Sequence, residues 1–128
     1  MGLYAFDGTW NEEDDEANYT QNTNVVKFRD AYQGEQKCYL EGVGTRFGIP
    51  GQVFGGVFGA GGKTRIEEMY EMLESNYQAG DKIIDVIGFS RGAALAVHFT
   101  NVVAQVGVKN ANGHLERPRI RFLGVWDI

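Results

Sequence analysis

Hydrophobic positions along the chain follow two alternating rhythms. Residues 2–6 are apolar without interruption and run into Asp7-Gly8-Thr9, the pattern of a buried strand opening into a loop. Residues 11–22 are acidic and polar with no apolar period, which predicts an exposed, mobile loop. Thr23 or Asn24 can cap a helix, and Val25, Val26, Phe28, Arg29 and Tyr32 give it one apolar face. Residues 37–43 read as a second strand, ending in Gly42-Val43-Gly44-Thr45. A glycine tract interleaved with Phe47, Phe54 and Phe58 follows and reads as a flexible loop over the same edge of the sheet. Ile66, Met69, Tyr70, Leu73 and Tyr77 recur at helical spacing, so 63–78 is the clearest helix, stopped by Gly80. Residues 82–89 form a third strand, 91–106 a third helix, 109–118 a polar turn and 119–127 a fourth strand.

Strand and helix therefore alternate throughout, which implies a parallel sheet covered by helices on both faces. The expected fold class is α/β, a three-layer sandwich with a parallel sheet of about four strands. The 128 residues suffice for one domain and not for two. With 43% hydrophobic and 23% charged residues, the composition is that of an ordinary globular protein. The net charge of −5 and scattered basic residues argue against a nucleic-acid surface. No apolar run approaches the roughly 20 residues of a membrane span. The N-terminus lacks the basic region of a signal peptide, so the expected location is cytoplasmic, or secreted without such a peptide. Cys38 is the only cysteine, which excludes an internal disulfide or a cysteine-built zinc site. No metal and no cofactor is expected.

The chemistry concentrates at DVIGFSRGAALAVHF, residues 85–99. Gly88-x-Ser90-x-Gly92 at a strand-to-helix junction matches the nucleophile elbow of α/β-hydrolases. The turn is too tight for bulky neighbours, so glycine at 88 and 92 lets the helix pack close to the strand. Ser90 is then strained and exposed at the carboxyl edge of the sheet. The Arg91 amide points where an oxyanion would form, and the helix N-terminus adds positive potential. A nucleotide site is the weaker reading. A dinucleotide fingerprint would need glycine where Phe47 stands, and a phosphate loop ending in Gly62-Lys63-Thr64 would need glycine in place of Val57.

FDGTWN (6–11), TNVVKF (23–28), EGVGT (41–45), GFSRGAA (88–94) and RFLGVWD (121–127) resemble, in order, blocks of the catalytic domain of the Tle-type phospholipase effectors of bacterial type VI secretion. The resemblance implies an α/β-hydrolase-like domain that hydrolyses carboxylic esters, with lipid or another ester as substrate. It makes Ser90 the nucleophile and sets Gly8 and Thr9 beside the oxyanion site. It also implies a domain continuing past Trp126-Asp127, where the family reads W-D-T-V and this chain has Ile128, so the domain over 1–128 is expected to be incomplete at its C-terminus. By analogy with α/β-hydrolases, the strands are expected in spatial order two, one, three, four.

A histidine base is not evident. His98 lies about 12 Å along the helix from Ser90, and His114 falls in a turn at the opposite, amino edge of the sheet. Asp127 stands at the carboxyl edge and is a candidate acid, against the plainer reading of a structural aspartate bonded to loop amides. Asp7, at the same edge, is expected to orient the oxyanion loop. The chain is thus a serine-hydrolase domain whose base comes from elsewhere, or an inert truncated or interaction module. The open edge at the fourth strand predicts a homo-oligomer, or a partner chain that completes the site.

Overall fold

The computed structural model describes residues 1–8, 23–41 and 59–127, with 59–64 described only as helix backbone. The expectations for Thr9, for 11–22 and for most of the glycine tract lie outside the described residues.

Four strands form one parallel sheet: β1 (Gly2–Phe6), β2 (Gln36–Leu40), β3 (Ile84–Phe89) and, last in the chain, β6 (Ile120–Trp126). Their spatial order is β2-β1-β3-β6, the expected two, one, three, four. The central strands are apolar on both faces because both faces are covered. Tyr4, Phe6, Ile84 and Val86 face α2 (Gly59–Gln78) and α3 (Arg91–Val106), where they meet Met69, Leu73, Phe99 and Val103. Leu3, Ala5 and Ile87 face α1 (Asn24–Ala31) on the other side and meet Val25, Phe28 and Tyr32. This is the three-layer α/β sandwich that the alternation predicts.

The structure departs from the sequence pattern in three places. Helix α2 starts at Gly59, four residues before Lys63, so the end of the glycine tract is helical. Gly62-Lys63-Thr64 therefore sits inside a helix and not in a loop that leads into one, which removes the structural context a phosphate loop needs. The stretch 109–118 is more than a polar turn, since β4 (Val108–Lys109) and β5 (Leu115–Glu116) form a small antiparallel ladder. Its turn is closed by Asn110, whose Oδ1 accepts the amides of Asn112 (2.9 Å) and His114 (3.0 Å). Glu116 anchors it by accepting bonds from the Tyr77 hydroxyl (2.5 Å), the Asn110 amide (2.6 Å) and Lys82 Nζ (3.3 Å). These donors hold the Glu116 carboxyl near 2, well below the usual carboxylate range.

The third departure is a bulge. Ile84 pairs with Ile120, but Asp85 pairs with Phe122, so Arg121 is an extra residue on β6. The bulge lets the Arg121 guanidinium reach Asp85, which is 2% exposed within an otherwise apolar strand. Nε lies 2.9 Å from Oδ1 and Nη2 bonds Oδ2, while the Tyr32 hydroxyl donates to the same Oδ2. Burial raises the Asp85 pKa, but the bonds from Arg121 and Tyr32 outweigh it and the net shift is downward.

Candidate active site

β3 delivers the chain to the carboxyl edge of the sheet, Ser90 turns it, and α3 begins at Arg91. Ser90 has φ 57° and ψ −122°, a region that non-glycine residues seldom occupy. Serine at a helix N-cap ordinarily keeps an extended backbone and spends its hydroxyl on an amide of the first turn. Ser90 does neither, and its side chain makes no capping bond. The backbone is nonetheless held on both sides. The Ser90 amide donates to the Trp126 carbonyl (2.9 Å), and the Ser90 carbonyl accepts from the amides of Ala93 (2.9 Å) and Ala94 (3.3 Å).

Both flanking glycines are required by close approach. A Cβ on Gly88 would lie 2.3 Å from the Gly92 carbonyl oxygen. A Cβ on Gly92 would lie 2.3 Å from the carbonyl oxygens of both Phe6 and Asp7. The first turn of α3 therefore rests directly on β3 and on the end of β1, which brings the Asp7-Gly8 peptide beside the serine corner. Arg91 contributes the first amide of a sixteen-residue helix, and no acceptor among the described residues takes it. Such orphan amides, with the helix dipole, make a site for developing negative charge.

Asp7 is 1% exposed. Its Oδ1 accepts the Gly8 amide (2.8 Å), and its Oδ2 accepts the hydroxyls of Thr23 and Tyr39, both at 2.7 Å. The Gly8 amide is thus directed at the carboxylate, and Thr9, the other residue expected at the oxyanion site, lies outside the described residues. Burial, then the hydrogen bond to Asp7, pushes the Tyr39 phenol far above its ordinary range. The sequence pattern marks Thr23 only as a cap and gives no sign of Tyr39, whose role depends on the β1–β2 register that pairs it with Ala5.

The remaining candidates are spread apart. Asp127 follows Trp126, the residue paired with Phe89, so it stands one strand over from Ser90. It is exposed, with φ 53°. His98 is exposed in the middle of α3. His114 belongs to the β4–β5 hairpin, which docks on the end of α2 through Tyr77 and Gln78 and on Lys82 just before β3. That is the amino edge of the sheet, about 20 Å from Ser90. Among the described residues, no group of three His, Cys, Asp or Glu side chains is placed to hold a metal ion. No helix among them is long and apolar enough to cross a membrane.

The family model of the type VI secretion phospholipase effector Tle1-like catalytic domain matches residues 3–117. The match takes in the β1 block, the α1 block and the serine corner, and the RFLGVWD block lies just past it. No curated protein and no solved structure matches the chain. A parallel sheet that offers up a strained serine, together with a family match over most of its length, identifies the chain as a member of the Tle1-like catalytic-domain family of type VI secretion phospholipase effectors.

Proposed function

We propose that this chain carries the nucleophile and oxyanion side of a serine hydrolase acting on carboxylic esters of phospholipids. The observation that carries the reading is the Ser90 backbone, held at φ 57° between two glycines whose Cβ atoms would overlap carbonyl oxygens. That strain gives the fold no cap in return, and it turns the serine into the corner between strand and helix.

In this reading, Ser90 Oγ attacks the ester carbonyl carbon and its proton passes to a base. The carbonyl oxygen becomes an oxyanion held by the Arg91 amide and by the chain just after Gly8. Collapse of the tetrahedral intermediate expels the alcohol and leaves an acyl-serine, which water then hydrolyses. Neither His98 nor His114 serves as the base, because each stands well beyond hydrogen-bond reach of Ser90. The base is a histidine brought to the carboxyl edge by another polypeptide segment, beyond β6. Asp127 is the acid candidate this edge offers.

The test is labelling of the chain by a fluorophosphonate. Amides and a helix N-terminus without a full triad still support slow reaction, on the order of 10³–10⁴ above water. Slow labelling confined to Ser90, absent in Ser90→Ala and unchanged in His98→Ala and His114→Ala, is the expected result. Labelling that survives Ser90→Ala, or a wild-type chain that takes no label, would overturn the proposal. Rapid ester turnover lost in either histidine variant would show that the chain supplies its own base.

A further inference from the structure

A positive φ is unfavourable for any residue that carries a Cβ, and aspartate enters that region chiefly where its carboxylate bonds a nearby backbone group. Among the described residues only two non-glycine residues adopt it, Ser90 at φ 57° and Asp127 at φ 53°. Each is the first residue after a strand, Ser90 after β3 and Asp127 after β6. The two strands are neighbours, and their last residues, Phe89 and Trp126, are register partners. The chain therefore makes two left-handed turns at adjacent points of the carboxyl edge, one strand spacing apart, about 4.8 Å.

The two turns are joined. The Ser90 amide donates to the Trp126 carbonyl (2.9 Å), so the peptide that leads into Asp127 holds the backbone of the serine. Asp127 gains nothing local from its conformation, which glycine would adopt without strain. It is exposed, and its carboxyl group bonds no amide among the described residues. The plain role of a structural aspartate is thus unfilled there. An acceptor is left open at the edge, next to a serine hydroxyl that makes no capping bond.

We infer that the corner between Ser90 and Asp127 is a binding site for an imidazole ring, with Asp127 as its positioning residue. This rests on the serine-hydrolase reading above and names how the base of that reaction is received. An imidazole bonded at both nitrogens spans about 8 Å between its partners, within reach of two short side chains rooted one strand spacing apart. One ring nitrogen takes the Ser90 proton as Oγ attacks, and the other donates its N–H to the Asp127 carboxylate. The carboxylate selects the tautomer of the ring and steadies the imidazolium that forms. A histidine of another polypeptide segment supplies the ring.

The test uses free imidazole as the probe and compares it with N-methylimidazole, which keeps the accepting nitrogen but has no N–H to give Asp127. Labelling of Ser90 by a fluorophosphonate forms the Oγ–P bond and breaks the P–F bond. The serine proton goes to the base, and fluoride leaves. Imidazole is expected to speed labelling of the wild-type chain saturably, and about tenfold more than N-methylimidazole at equal concentration. In Asp127→Gly, a substitution that suits φ 53° and keeps the fold, the advantage of imidazole should vanish. Equal acceleration by the two bases in the wild-type chain overturns the inference, as does an advantage that persists in Asp127→Gly. A wild-type chain that is labelled at Ser90 but accelerated by neither base overturns it as well, and leaves the hydrolase reading standing. A wild-type chain unlabelled at Ser90, with or without imidazole, overturns the hydrolase reading and this inference with it.

Discussion

Helix α1 is tied to the sheet at each end by a buried aspartate, and the two ties use different donors. At its start, Thr23 bonds Asp7, whose other bonds come from the Gly8 amide and the Tyr39 hydroxyl. Just past its end, Tyr32 bonds Asp85, whose other partner is the Arg121 guanidinium. Leu3 and Asp85 are register partners, so the two carboxylates sit on adjacent strands, about 13 Å apart along the sheet. An amide and two hydroxyls fix directions, which suits the end of β1, where the Asp7 carbonyl lies against Gly92 in the first turn of α3. A guanidinium supplies charge, which suits a joint between β3 and β6 where no chemistry is proposed. Damage at the first tie should therefore appear in reactivity and damage at the second in stability.

The largest effect is expected where the carboxyl-edge tie meets α3. Gly92→Ala pushes a methyl group into the carbonyls of Phe6 and Asp7. Overpacking against backbone should cost about 3 kcal/mol, read as a lowered denaturant midpoint, and should slow Ser90 labelling at the same time. A variant as stable as the wild type would mean that the corner is looser than its contacts indicate.

A matched pair separates the two ends. Asp7→Asn should cut the labelling rate about tenfold with a modest loss of stability. Asp85→Asn should lower the denaturant midpoint and leave the labelling rate within twofold of wild type. Equal effects of both variants on both readouts would erase the distinction between the ties.

Acid should act on the amino-edge tie. The Asp85 carboxyl titrates below its ordinary value in the folded chain, so its contribution is fully present above the unfolded value, near 3.9. That contribution is lost as pH falls through the depressed folded value. Stability measured from pH 5 downward should therefore fall less steeply in Asp85→Asn than in the wild type. Superimposable acid limbs would show that Asp85 has no part in acid unfolding. Glu116, whose carboxyl is also depressed, to about 2, adds to the same limb in both proteins and so cancels from the comparison.

The smallest change is Tyr32→Phe, which removes one of the donors to Asp85 and leaves the guanidinium. About 1 kcal/mol of stability should go, measured by thermal or chemical unfolding, with labelling unaffected. A tenfold change in labelling would show that the amino-edge tie communicates with the serine corner.

Beyond β6 the sheet presents Phe122 and Leu123, 45% and 40% exposed on opposite faces of an edge strand among the described residues. The proposed base-bearing segment would add here. An exposed edge strand of this kind also invites a second chain, and sedimentation across a range of concentrations will show whether the chain associates.

Much of this molecule is legible in the amino-acid sequence alone. Apolar runs at strand length, separated by amphipathic helices, dictate a parallel three-layer sheet, since nothing else buries strands that are apolar on both faces. The glycines at 88 and 92 mark a tight strand-to-helix corner, because only a residue without a side chain tolerates carbonyl oxygens 2.3 Å from where a Cβ would sit. These are local facts, and neighbours in sequence decide them.

The two ties are not legible there. Residues 82–89 read as almost wholly apolar, and nothing near Asp85 reveals that its partner is Arg121, thirty-six positions away and delivered by a bulge. Tyr39 reaches Asp7 across thirty-two positions, through the register of β1 on β2. The β4–β5 ladder is hidden for the same reason, being pinned by a glutamate whose partners include Tyr77, thirty-nine positions back on α2. Periodicity in a chain records which side of an element is buried. Which charge is buried, and against what, is set by register and helix placement, and these exist only once the sheet has formed.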